Sequence, residues 1–274
     1  MTDFELESGG VTLAGQEDGE GVAVVLLHGL TATRRYVVMG SRALERNGHR
    51  VVAYDARGHG ASTAAPDPDA YDYDDLVSDL LAVLDDRGID RAVLAGASMG
   101  AHTAVRLALD ALGRVAGLAV ITPAFDPESD DHRDLERWDA LAQGLREDGV
   151  EGFVAAYGEP AAPGAWRETI DKVLRQRLSA HEHPEAVADA LSAVPRSRPF
   201  QAWEDLRAIE VPTVVVASRD DADPGHPYAT GERYAKAIAG ARLRSEEPGS
   251  SPLAWQGSQL SKLIAELAAE PAEP

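Results

Sequence analysis

The sequence predicts an α/β protein built on a mostly parallel sheet, and three observations predict it. Apolar runs alternate with amphipathic stretches along most of the chain, the rhythm of βαβ units. One run, VAVVLLHG from Val22 to Gly29, is apolar almost throughout, as a strand buried on both faces must be. A glycine-flanked serine, Gly96-Ala97-Ser98-Met99-Gly100, stands where an apolar run passes directly into an amphipathic one.

The elements follow in order. Phe4 to Leu6 and Val11 to Leu13 read as an opening hairpin around Gly9 and Gly10. After the Val22 strand, Ser41 to Asn47 reads as a helix stopped by Gly48, and Arg50 to Tyr54 as the next strand. Tyr71 to Arg87 is amphipathic, with Leu76, Leu80, Val83 and Leu84 on one face, and its aspartate-rich lead-in suits a helix N-terminus. Arg91 to Gly96 is a strand that runs into Ser98 and a helix from Gly100 to Leu112; Val115 to Thr122 is another strand.

From 126 to 200 the pattern changes. This stretch is charged, helical and punctuated by prolines at 160, 163, 184, 195 and 199 among others, with no strand-like run. It reads as a helical lid inserted into a core formed by 1–125 and 201–274. The strand rhythm then returns with VPTVVVAS (Val211 to Ser218), a helix from Tyr228 to Ile238, a short strand from Ala241 to Ser245 and a final helix from Leu253 to Leu267.

Composition narrows the function classes. With 46 Asp plus Glu against 26 Lys plus Arg, the formal net charge of the 274 residues is -20, which opposes nucleic acid and anionic membranes. No cysteine is present, so disulfides and thiolate chemistry are excluded. The N-terminus lacks a basic and apolar leader, and the longest apolar run is far too short to span a bilayer; a cytoplasmic protein is expected. Neither phosphate-binding glycine pattern occurs, and no cofactor is expected. His181 and His183, with Asp130, Asp131 and His132, do not read as a metal site: an i, i+2 pair points to opposite sides of a helix. The Arg196-Ser197-Arg198-Pro199 stretch reads as a salt-bridged surface segment or as a clamp for an acidic group.

The glycines around Ser98 have a physical reason. A tight turn from strand to helix brings neighbouring backbone close, so small residues must flank it. The turn lifts the hydroxyl clear of the sheet, at a helix N-terminus that favours developing negative charge.

Together with His28-Gly29-Leu30 after the first long strand and Asp55-Ala56-Arg57-Gly58-His59-Gly60-Ala61-Ser62 after the next, this turn resembles the α/β-hydrolase family over nearly the whole chain. The resemblance implies the α/β-hydrolase fold, a mostly parallel central sheet with helices on both faces and a helical lid. It implies Ser98 as nucleophile and an oxyanion hole from the N–H groups of Leu30 and Met99. His28 reads as structural, Asp55 and His59 as loop-bracing, and His102 as a packed helical histidine.

The family order is serine, then acid, then histidine. The acid follows the strand written here VPTVVVAS, which points to Asp221, with Asp220 and Asp223 as near rivals and Asp126 as another site. The histidine follows the last short strand, but here that stretch reads EEPGSSPLA, with Ser250 and Ser251 in its place. Three readings stand. His226, on the loop that carries the acid, is the base; or a lid histidine (His181, His183 or His132) reaches down; or no base exists. The expectation is a serine hydrolase cleaving a small ester, thioester or related acyl bond through Ser98, His226 and Asp221. The alternative is a non-hydrolytic or catalytically silent member of the fold: a binding module, lyase or cyclase. The expected partner is a small-molecule acyl substrate, not nucleic acid or membrane, and a homodimer is compatible with the sequence.

Overall fold

The computed structural model describes residues 1–129, 132–160, 164–219, 223, 225–247 and 255–270, with 132–134 and 165 as backbone only. Eight strands form one sheet in the order β1-β2-β4-β3-β5-β6-β7-β8. They are β1 (Thr2–Ser8), β2 (Val11–Asp18), β3 (Val22–Leu27), β4 (His49–Tyr54), β5 (Ala92–Ala97), β6 (Val115–Ile121), β7 (Thr213–Val216) and β8 (Arg242–Arg244). The opening hairpin is antiparallel, as is β2 against β4; every later pairing is parallel.

Helices cover both faces. Alternate residues of β3 divide between two cores, as strand geometry requires. Val25 and Leu27 pack with α2 (Tyr73–Asp86), α3 (Met99–Asp110) and α7 (Tyr228–Ala237); Val24 and Leu26 pack with α1 (Ala43–Arg46) and α8 (Gly257–Ala268). The helix expected over 41–47 is a single turn, and the elbow helix ends at Asp110, where Leu112–Arg114 tightens into a 3-10 turn.

Between β6 and β7 lie α4 (His132–Tyr157), α5 (Gly164–Leu178) and α6 (Pro184–Ala193). α4 is two helices meeting at a sharp bend, where Asp148 and Gly149 (φ +56°) leave helical geometry and the backbones at Gly144 and Gly152 pack together. The three pack around Leu141, Leu145, Phe153, Leu174, Leu178 and Leu191, with Leu30 of the core against the same cluster. His181, between α5 and α6, fixes this insertion to the sheet: its Nε2 donates to Thr31 O at 3.0 Å and its Nδ1 accepts from Gly60 N at 2.8 Å. The insertion therefore covers the carboxyl ends of β3 and β4. Among the described residues no helix is long and apolar enough to cross a membrane.

Candidate active site

Ser98 sits between β5 and α3 with φ +50° and ψ −113°, a conformation that costs a non-glycine residue about 1–3 kcal/mol. Its surroundings hold it there. Ser98 N–H donates to Ile121 O at 2.9 Å, and Ser98 O accepts from His102 N at 3.0 Å. A Cβ on Gly96 would lie 2.2 Å from Gly100 O, and one on Gly100 would lie 2.1 Å from Leu27 O. The G-x-S-x-G pattern is thus a record of backbone meeting backbone.

Gly29 brings a second loop against the serine, since a Cβ there would stand 3.3 Å from Ser98 Cβ. Ala32 N–H donates to Gly29 O at 3.0 Å and closes a turn with Leu30 and Thr31 at its corners, Thr31 at φ +67°. Met99 is the first residue of α3. Among the described residues, no backbone acceptor takes the N–H of Leu30 or of Met99.

His28 holds that loop to its neighbour: Nδ1 donates to Gly29 O and Nε2 accepts from Ala56 N, both at 2.9 Å. Burial pushes its pKa below the ordinary histidine range. Asp55 braces the same region, accepting from Arg34 N at 2.7 Å, from Ala61 N at 3.1 Å and from the Arg34 guanidinium. His59 donates from Nδ1 to Arg57 O at 2.9 Å, and burial holds it well below the usual value. These residues support the loops, as their sequence context implies.

The imidazole that reaches Ser98 is His226. Its Nε2 lies 2.9 Å from Ser98 Oγ. Its Nδ1 lies 2.8 Å from both carboxylate oxygens of Asp223. His226 N–H also donates to Asp223 O at 3.1 Å, so both residues belong to one tight turn between β7 and α7. Burial pushes the Asp223 carboxyl up, but the hydrogen bond and charge of His226, with help from Arg177, outweigh it and keep it below the usual carboxylate value.

Asp221, the acid the sequence places here, lies outside the described residues, as does Asp220. The carboxylate that the described residues place on His226 is that of Asp223, the rival two positions further along the same loop. Asp126 is engaged elsewhere, accepting from Arg233 Nη1 at 3.0 Å and from Glu128 N at 2.9 Å. His181 ties the insertion to the core, His183 precedes α6 as its N-cap residue, and the His132 side chain lies outside the described residues. The reading without a base needed Ser98 to lack an imidazole, and His226 supplies one.

His102 points away from Ser98. Its Nε2 accepts from Ala124 N at 3.1 Å and Phe125 N at 3.2 Å, so Nδ1 donates to Tyr73 Oη at 2.9 Å. Burial brings its pKa down to about 3, keeping it neutral. Trp203 packs with Tyr234 and Phe200 in the core.

Glu246, just past β8, carries a role the sequence reading missed. It accepts from Ser218 Oγ and Arg219 N at 2.6 Å and from Trp255 Nε1 at 2.9 Å, binding the stem of the Asp223–His226 loop to the sheet edge. An acid where the family places its histidine was the available signal.

A model of the alpha/beta hydrolase family matches residues 24–263. The chain belongs to the alpha/beta hydrolase family. This alpha/beta hydrolase is 32% identical over 230 residues to a protein named for carbamate hydrolysis, RutD, of Variovorax paradoxus strain S110, covering 84% of each chain. It is 29% identical over 262 residues to the non-heme chloroperoxidase CPO-A1 of Kitasatospora aureofaciens, covering 89% of this chain and 90% of that one. Its fold superposes on the enol-lactonase of Burkholderia xenovorans LB400 with a TM-score of 0.74 at 25% identity, covering 97% and 100% of the two chains. The chain is an enzyme of this family.

Proposed function

We propose that this alpha/beta hydrolase cleaves a small ester, lactone or related acyl bond through an acyl-enzyme on Ser98. The observation that carries the reading is the 2.9 Å contact between His226 Nε2 and Ser98 Oγ, with Asp223 on the opposite ring nitrogen. A serine hydroxyl is a weak nucleophile until a positioned base takes its proton. Asp223 holds Nδ1 protonated, which leaves Nε2 free to accept.

In the first half-reaction Ser98 Oγ attacks the acyl carbon while its proton passes to His226 Nε2. The carbonyl oxygen becomes an anion beside the Leu30 and Met99 amides, which donate to it, and Asp223 stabilises the imidazolium. His226 then gives the proton to the leaving oxygen or nitrogen as that bond breaks. Water repeats the sequence on the acyl-enzyme, with His226 again as base, and frees the acid. Each oxyanion donor contributes about 3–4 kcal/mol in enzymes of this chemistry. The names of the relatives, for a carbamate hydrolase and an enol-lactonase, support a small acyl substrate.

The experiment is hydrolysis of p-nitrophenyl acetate and butyrate by wild type, Ser98→Ala and His226→Ala. Both variants are expected to lose turnover. Unchanged turnover in Ser98→Ala would end the reading; turnover kept only in His226→Ala would move the base elsewhere.

A further inference from the structure

We propose that Arg177 binds a carboxylate of the substrate, so that the physiological substrates are small acyl compounds carrying one anionic group. This rests on the reading of Ser98 as the nucleophile and names the substrate class of that same site.

Arg177 lies at the end of α5, one residue before Leu178 and three after Leu174, both buried in the cluster that also holds Leu30 and Tyr157. Four residues further on, His181 is fixed to Thr31 O and Gly60 N. Arg177 is therefore flanked by residues fixed against the loops that carry Leu30, Thr31 and Gly60. Its charge is felt by Asp223, by the Tyr36 and Tyr157 phenols and by His181. These groups come from the Asp223–His226 loop, the segment after the Gly29 turn and the insertion, so Arg177 lies where the three converge.

The side chain is unsatisfied there. Its Nε is buried, and no acceptor among the described residues lies within hydrogen-bond reach of it. Four other arginines of the insertion are engaged: Arg146 with Asp189 at 2.7 Å, Arg175 with Asp171 at 3.0 Å, Arg196 with Asp139 at 2.7 Å and Arg198 with Pro127 O at 2.8 Å. Arginine stays charged at neutral pH, and a buried donor left without an acceptor is costly, so the free Nε calls for a ligand that supplies one. A planar donor fork matches a carboxylate in bidentate geometry. In a chain of net charge -20, surplus carboxylates are plentiful, yet none among the described residues accepts from this Nε.

Two matched substrate pairs test the assignment. Monomethyl adipate against its neutral terminal amide puts the carboxylate on the acyl side; 4-acetoxybenzoate against 4-acetoxybenzamide puts it on the leaving group. Wild type is expected to favour the acid member of at least one pair by about tenfold or more in kcat/KM. Arg177→Gln should bring that ratio to near parity, and Arg177→Lys should restore part of it. Equal rates for both members of both pairs in wild type, or a preference that survives in Arg177→Gln, would overturn the proposal. Binding is read separately on Ser98→Ala by the rise in Tm with each compound. A rise with the acid and not the amide, lost in Ser98→Ala/Arg177→Gln, supports the anion site even if the Ser98 chemistry fails. Ser98-dependent turnover with no such difference overturns the anion site and leaves the chemistry standing. Tm values of the variants without ligand separate a folding defect from lost binding.

Discussion

His226 Nε2 lies 2.9 Å from Ser98 Oγ although 128 residues separate them in the chain. The two meet because β5 and β7 both end at the carboxyl edge of the sheet with only β6 between them. Asp223 and His226 share one turn, so a single loop brings both side chains toward Ser98.

That shared turn makes a graded prediction. Ser98→Ala and His226→Ala should each lower kcat by about 10^4-fold or more, and Asp223→Asn by about 10^4-fold through loss of the imidazole tautomer. Asp221→Asn is the comparison, measured with the same p-nitrophenyl esters. If it lost more than Asp223→Asn, the acid would be Asp221.

The glycines of the two loops should separate stability from catalysis. Gly100→Ala puts a Cβ 2.1 Å from Leu27 O and 2.8 Å from His28 O, both backbone, and should cost at least about 3 kcal/mol in urea unfolding. Gly29→Ala meets Ala97 O at 3.2 Å and Ser98 Cβ at 3.3 Å, so the loop needs to give only slightly. Its Tm should stay near that of wild type while kcat falls roughly tenfold, because amide donors act only at close range.

Buried neutral histidines should make the fold acid-sensitive. Burial holds His181 at about 4 and His102 at about 3, against 6.5 for a free side chain. Below about pH 6.5 the unfolded chain binds protons at these sites that the folded chain refuses, so stability falls as pH falls. The loss levels off as the folded sites protonate, near 4 and 3. Each histidine contributes a slope of about 1.4 kcal/mol per pH unit inside its window. Urea unfolding across pH 7 to 5 should show it, and His181→Asn should flatten the slope by about one proton's worth.

Arg57 and Asp79 form a buried pair, with guanidinium Nε and Nη2 at 2.7 and 2.8 Å from the carboxylate. Asp79→Asn leaves Arg57 with only the half-exposed Asp75 carboxylate, 2.9 Å from Nη1, and should destabilise by about 2–4 kcal/mol. Arg57→Met/Asp79→Leu removes both charges and should lose less. A double variant no more stable than Asp79→Asn would show that the pair itself contributes a net gain.

Before any coordinates, the chain determined its sheet-and-helix order, the elbow at Ser98 and the supporting parts of His28, Asp55 and His59. These rest on local signals: period-two and helical hydrophobicity, and glycines placed where backbones touch. It also limited the base to few histidines, because His226 is the last in the chain. Only the tertiary structure decided that His226 faces Ser98, that the Asp223 carboxylate lies on its ring, that His181 anchors the insertion and that Arg177 Nε is left without an acceptor. Direction across a loop and the meeting of side chains 128 residues apart depend on turn geometry and strand order, which no local pattern encodes.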